Sequence, residues 1–208
     1  ANLKKAMAYI ISVHVPIAGL SLAPVLLGWP LILLPVHIVF LELIIDPACS
    51  VVFEAERGEP DIMKRPPRRP EDRVLDRRTI TLALAQGLVV LGFVLAVYFS
   101  AVSRGLAMDE TRTASFVTIV MANLALIAAN RSWSESVLAT LRAPNRAFWA
   151  VIGGTLFFLA AAVALPAARE VFRFAVSGAG DLALAFLAGF LSVLWFEVYK
   201  RVRPSAPR

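Results

Sequence analysis

The chain alternates between long apolar blocks and short polar breaks. Six blocks, at roughly 6–28, 31–53, 79–102, 113–130, 147–166 and 181–199, hold about 20 residues each. That is the length a helix needs to cross a hydrocarbon core of ~30 Å. Inside such a core the backbone must satisfy its own hydrogen bonds, so each block is read as a helix. Alternation at period two is weak, which argues against a membrane barrel. The pattern predicts an all-α polytopic membrane protein, residues 1–208 forming a single transmembrane domain of six helices in three hairpins. Its first helix pair spans 6–53 and closes on Gly28-Trp29-Pro30 as a short turn. A polar, Pro- and Arg-rich stretch follows at 54–78, then helices across 79–199 and a basic tail at 200–208. Gly87, Gly92, Gly153, Gly154 and Gly189 are read as places of close helix approach.

Composition agrees, with 59% hydrophobic and only 17% charged residues. The net charge of +6 is not a nucleic-acid footprint, because the basic residues are sorted by loop. Lys4 and Lys5, eight residues between Arg57 and Arg78, Arg131, Arg142, Arg146, Lys200, Arg201, Arg203 and Arg208 put 17 of 21 on one side. Arg104, Arg112, Arg169 and Arg173 fall on the other. The positive-inside bias then predicts a multi-pass protein with both termini cytoplasmic. Trp29, Trp133, Trp149 and Tyr199 sit near span ends, where amphipathic rings favour the interface. Nothing resembles a cleaved signal peptide. The lone Cys49 excludes an internal disulfide and makes no metal site alone. The opening at Ala1 reads as a cut from a longer protein.

Charges inside spans are the informative exceptions, since each costs on the order of 2.5–3.5 kcal/mol at mid-membrane. Glu42 and Asp46 are four residues apart and share one helix face. Two ionised carboxylates there repel one another, and a cation between them relieves the repulsion. A structural pair that glues helices together is the alternative. Pro47 lacks an N–H, so the Leu43 carbonyl loses its helical partner; Pro16 does the same to the Ser12 carbonyl. Freed carbonyls beside carboxylates are hard oxygen ligands, suited to Na⁺, K⁺, Ca²⁺ or a proton-bearing water. Interrupted helices serve as ion sites in transporters. Ser12, His14, His37, Gln86, Ser115, Thr118 and Asn123 are the other polar residues within spans. Most are expected to be satisfied by neighbouring helices, with His14 and Asn123 standing out as support for a site. Glu197 is expected to pair with Lys200 or Arg201.

The run LLPVHIVFLELIIDPACSVVFEAERGEPDIMKRPPRRP resembles the membrane region of cation-transporting P-type ATPases of the calcium-pump and sodium-pump kind. In that family a span reading roughly L-P-V-Q-L-L-W-x-N-L-x-T-D-x-x-P leads into a loop containing D-I-M-x-R-P-P-R-x-P. Asp61 to Pro70 match that loop almost residue for residue, so the stretch is more than a linker. The opening Asn2 to Ser12 is similar to the family's preceding stalk and helix, and FEVYKRVRP to its closing helix end. The likeness covers the whole chain as the last six of ten membrane helices. It implies that Asp46 stands on the family's ligand Asp and Glu42 where many calcium pumps have an Asn ligand. The family's Thr ligand becomes Ile45. His14 falls on the Asn ligand of the preceding helix, whose Glu ligand becomes Ile17, and Asn123 falls where the family offers Glu or Gln.

The implied metal site is therefore Glu42, Asp46, Asn123 and His14, with the backbone carbonyls of Ser12 and Leu43. The transported cation stays open among Ca, Na, K, Mg and H. The motif D-K-T-G does not occur here, nor does a glycine-rich nucleotide loop, so no catalytic or cofactor-binding residue is expected in this chain. ATP and Mg would belong to the missing domains. The expected partners are the lipid bilayer, the actuator, phosphorylation and nucleotide-binding domains, and the first four helices of a pump. No nucleic acid is expected, and a bacterial plasma membrane is the expected location. A proton- or sodium-coupled secondary transporter would also use paired carboxylates but is disfavoured by the absence of an internal repeat. A non-transporting membrane scaffold is the third reading.

Overall fold

Every apolar block folds as a helix in the computed structural model, which describes residues 2–56, 75–176 and 178–202. The elements are α1 (Asn2–Leu27), α2 (Pro35–Pro47), α3 (Arg77–Ser103), α4 (Met108–Asn130), α5 (Val137–Arg142), α6 (Arg146–Ala164), α7 (Pro166–Phe172) and α8 (Ala179–Val202). A π-helical turn, Ala48–Val52, continues α2. Among the described residues six helices are long and apolar enough to cross a membrane: α1, α2 with its π turn, α3, α4, α6 and α8. The Asp61–Pro70 match lies outside the described residues, as do Arg203 and Arg208.

Two short helices depart from the expected pattern. Helix α5 is a single capped turn in the polar connection after α4, its Ser136 hydroxyl accepting from the Ala139 N–H at 3.3 Å. Helix α7 starts on Pro166. A proline is pre-organised for the first helical position and pushes the residue before it into extended backbone. Leu165 accordingly has φ −79° and ψ 127°, and α6 stops at Ala164.

Helix α4 lies at the centre. All residues from Thr111 to Asn130 are buried, polar Thr111, Arg112, Thr113, Ser115, Thr118, Asn123 and Asn130 among them, so its surroundings in the bundle rather than its own apolarity set its central place. Helices α1, α3, α6 and α8 pack around it. Two glycines allow close approach. A Cβ on Gly189 of α8 would lie 2.6 Å from the Met121 Cβ and 2.7 Å from the Thr118 carbonyl oxygen. One on Gly87 of α3 would meet the Ser12 carbonyl oxygen and the Val15 Cβ, both at 2.6 Å. Gly92, Gly153 and Gly154 face open space instead, so their reading as close-packing positions is corrected.

The start of α1 and the end of α8 lie at one end of the bundle, around the C-terminus of α4. There Lys5 donates to the Arg131 carbonyl at 2.8 Å. Lys200 donates to the carbonyls of Ala129, Ser132 and Glu135 at 3.1–3.2 Å. Cations on the last carbonyls of a helix satisfy orphan acceptors and complement the helix dipole. Glu197 pairs with Lys200 at 2.5 Å, as the sequence suggested.

The same end holds a buried ion pair. Glu56 and Arg131 lie in polar connections between the apolar blocks, yet their side chains are 6% and 0% exposed. The guanidinium is bidentate, Nε to Glu56 Oε2 at 2.6 Å and Nη2 to Oε1 at 3.2 Å. It also lies 4.4 Å from the centre of the Phe148 ring. Asn145, which caps α6, donates to Glu56 at 2.9 Å and to the Val52 carbonyl at 3.2 Å.

Asp76 caps α3, accepting from the Thr79 N–H at 2.8 Å and pairing with Lys4 at 3.1 Å. Burial alone would raise its carboxyl, but hydrogen bonds from Thr79 and Lys4 outweigh it and bring it from 3.8 to about 2.

Two outcomes follow for stability in detergent. Arg131→Ala strands the buried Glu56 carboxylate and should destabilise the protein by ~3–5 kcal/mol, read from thermal unfolding. An unchanged melting temperature would show that water reaches the pair. Asp76→Ala should cost ~1 kcal/mol. Because the folded carboxyl titrates below its unfolded counterpart, the Asp76 contribution is present above pH ~4 and lost as pH falls through about 2. If the difference between the two proteins persists unchanged at pH ~2, the carboxylate is not the stabilising group.

Candidate cation site

The α1–α2 hairpin packs one side into the bundle and leaves the other open. On α2, Phe40, Leu41, Ile44 and Ile45 are buried, while Val39, Leu43 and Asp46 are exposed and Glu42 is half-buried. On α1, Val13, Ile17 and Leu20 are buried, while Ile10, His14 and Ala18 are exposed. The open faces of the two helices meet at His14 and Glu42. His14 Nε2 is 3.6 Å from Glu42 Oε1, with side-chain exposures of 48% and 39%. The other ring nitrogen of His14, Nδ1, bonds the Ile10 carbonyl at 2.8 Å, and since a carbonyl only accepts, Nδ1 carries the hydrogen. Asp46 follows Glu42 by about one helical turn on the same open face.

Pro16 lies inside α1 without ending it, and Pro47 closes α2. After Pro47 the helix widens: the Ala48 N–H points at the carbonyls of Ile44 and Ile45, and the Phe53 N–H reaches back to the Ala48 carbonyl at 3.3 Å. The Leu43 carbonyl therefore has no amide donor at Pro47, one turn from Glu42 and Asp46. The Ser12 carbonyl is placed differently, on the side of α1 that packs against Gly87 of α3.

Asn123 is fully buried in α4, and neither its amide nitrogen nor its oxygen has a hydrogen-bond partner among the described residues. The structure thus brings His14, Glu42 and Asp46 to one face but makes no hydrogen bond from Asn123 to any of them. Ile17 and Ile45, at the positions where the resemblance places family ligands, are 7% and 2% exposed and belong to the core.

The remaining polar residues within spans are held by protein. The Ser12 hydroxyl shares its hydrogen between the Ala8 carbonyl and Gln86 Oε1, at 2.8 and 2.9 Å. Asn130 adds a donor to the same Gln86 oxygen at 3.3 Å. Ser115 and Thr118 bond carbonyls one turn back. His37 is fully buried, its Nδ1 accepting from the Leu34 N–H at 3.0 Å, which makes Nε2 the donor to the Phe172 carbonyl at 2.8 Å. Phe116 and Phe174 lie against its ring at 4.8 and 5.0 Å. Asn130, the last residue of α4, carries no local pattern that marks it, and only the fold brings it to Gln86.

Among the described residues no three His, Cys, Asp or Glu side chains form a group able to enclose a metal ion. The open face offers two carboxylates and an imidazole nitrogen, while Leu43 and Pro47 line a cleft between α2 and α6.

A helical membrane domain with an acidic pair on a proline-broken hairpin defines an ion-handling class of protein. The profile described as "Cation transporting ATPase, C-terminus" matches residues 30–202, and the chain belongs to that family. It is 24% identical to a calcium-transporting ATPase of Listeria monocytogenes over 206 residues, covering 97% of this chain and 23% of the relative. It is likewise 24% identical to mouse calcium-transporting ATPase type 2C member 2, over 98% of this chain and 22% of that protein. A sodium/potassium-transporting ATPase alpha subunit of Drosophila melanogaster is 37% identical over 100 residues, which is 47% of this chain and 10% of the subunit. The chain therefore spans less than a quarter of these relatives' length.

Proposed function

We propose that this chain is the cation-binding and translocating part of an ATP-driven pump, with Glu42 and Asp46 as its charged ligands. The observation that carries this reading is the alignment of His14, Glu42 and Asp46 on the open face of a proline-interrupted membrane hairpin. Carboxylates inside a membrane-spanning helix cost ~2.5–3.5 kcal/mol each when left to lipid. A face carrying two of them is stabilised by a covering protein segment and a bound cation together. The Leu43 carbonyl adds an oxygen ligand, while Asn123 and the Ser12 carbonyl stand behind the hairpin as polar support. Relatives four times longer leave room for the covering helices and for the actuator, phosphorylation and nucleotide-binding domains, which would supply ATP and Mg chemistry.

The reading also assigns orientation. The end holding Lys5, Arg131 and Lys200 faces the cytoplasm, following the sorting of basic residues. Cysteines introduced near Arg142 should label from the cytoplasmic side and those near Asp109 from the opposite side. Exterior labelling near Arg142 would invert the topology.

In the full-length protein, Asp46→Asn keeps the shape and removes one charge, so it should abolish ion-dependent phosphorylation while leaving folding intact. Glu42→Gln should weaken apparent ion affinity by ~10-fold or more. Wild-type transport by Asp46→Asn would make the carboxylates helix glue and move the ion pathway elsewhere.

A further inference from the structure

We infer that Arg77, Arg78 and Tyr199 form a binding site for the phosphate of one anionic phospholipid, where the start of α3 meets the end of α8. Both helices are long and apolar enough to cross a membrane, and the site stands apart from the Glu42–Asp46 face. Lys4, Arg104, Arg112, Arg131 and Lys200 each face a carboxylate. Arg78 is held in a different way. Its Nε and Nη2 both donate to the Tyr199 hydroxyl oxygen, at 3.2 and 3.1 Å. The guanidinium carbon lies 6.0 Å from the centre of the Tyr199 ring. A neutral hydroxyl fixes the direction of the guanidinium without cancelling its charge. Among the described residues neither Arg77 nor Arg78 has a carboxylate within ion-pair distance, and both side chains are exposed.

A hydroxyl oxygen has two lone pairs, and the two Arg78 N–H groups occupy both. Only donors are left over: the Tyr199 O–H, the Nη1 end of Arg78 and the neighbouring Arg77 guanidinium. Their complement is a group with several acceptor oxygens and a negative charge, which describes a phosphate diester. The apolar surface below the cluster decides where that phosphate comes from. Leu88 follows Arg78 on one face of α3 in steps of three and four residues, and Leu191 precedes Tyr199 on α8 in two steps of four; both are exposed. Leu88 lies ~15 Å along the helix from Arg78, half of a ~30 Å hydrocarbon core and so the depth of one leaflet. One turn further, Gly92 leaves open space where a Cβ would stand. A lipid whose phosphate sits at Arg78 has a leaflet's depth of apolar surface for its chains, which a soluble phosphate has no use for. Basic side chains at the membrane surface attract anionic lipid by ~1 kcal/mol each.

The test uses the full-length protein in mixed micelles with equal amounts of phosphatidylcholine and phosphatidylglycerol, counting retained lipid by native mass spectrometry. One phosphatidylglycerol should be retained at least ~10-fold more strongly than phosphatidylcholine, the scale of one charged hydrogen bond. Arg77→Gln combined with Arg78→Gln should remove the preference. Tyr199→Phe keeps the ring, loses the hydroxyl and should weaken it. Arg142→Gln combined with Arg146→Gln takes the same charge from the same end of the bundle and should leave it intact. Excess inorganic phosphate should not displace the lipid. Equal retention of the two lipids overturns the site, as does an equal loss in the Arg142 and Arg146 variant, which would mean net charge alone. Displacement by inorganic phosphate overturns the lipid as its occupant. Where the double glutamine variant does not fold, Arg78→Lys replaces it, keeping the charge and losing the fork; an undiminished preference in that variant overturns the role of the Arg78–Tyr199 contact.

Discussion

The buried Glu56–Arg131 pair is the constraint on which the geometry of the α1–α2 hairpin rests. Four segments converge on it: the end of the π turn through Glu56, the exit of α4 through Arg131, the start of α6 through Asn145, and the start of α1 through Asn2 and Lys5. Desolvating two charges costs several kcal/mol each, and only good geometry with further hydrogen bonds repays it. Those conditions are met by the bidentate fork, the Asn145 donor and the Phe148 ring beneath the guanidinium. A point charge such as lysine could not reproduce the fork. The end of the site helix therefore has one position relative to α1, α4 and α6.

The far end of α2 is held as firmly by different means. His37 bridges its first turn to the Phe172 carbonyl of α7 within an aromatic cluster that includes Phe40, Phe116 and Phe174. Arg112 ties the start of α4 to the Leu31 and Arg173 carbonyls, each at 3.2 Å, and pairs with Asp109. The segment between these anchors carries Glu42 and Asp46 on the face that the described residues leave largely open. A site on a helix pinned at both ends keeps its ligand spacing when its neighbour changes.

What the sequence made legible and what it hid divide along the range of the interactions. Helix positions came from local apolar blocks, and the Glu42–Asp46 face from a spacing of four, so both could be read directly. Pro47 announced a break in its own helix, and a π turn follows it. Glu56 and Arg131 are separated by 75 residues, and each sits in a polar context where a solvated charge is the ordinary reading. No local pattern distinguishes them from Arg142. The short α5 and α7 offer too few apolar positions for periodicity to register. Asn123 stood out as a mid-span amide and is fully buried, but its relation to the carboxylates depends on how α4 sits behind α1, which spacing along the chain cannot encode.

The inward turn of Ile17 and Ile45 joins the packing to the chemistry. Both positions lie on the faces that α1 and α2 press into the bundle, where an oxygen ligand would need a partner and an isoleucine only needs contact. Apolar residues there strengthen the core and leave His14, Glu42 and Asp46 as polar side chains on the outer side of the hairpin. The packing of α1 and α2 thus decides which of their polar groups reach the open face and which positions must be apolar.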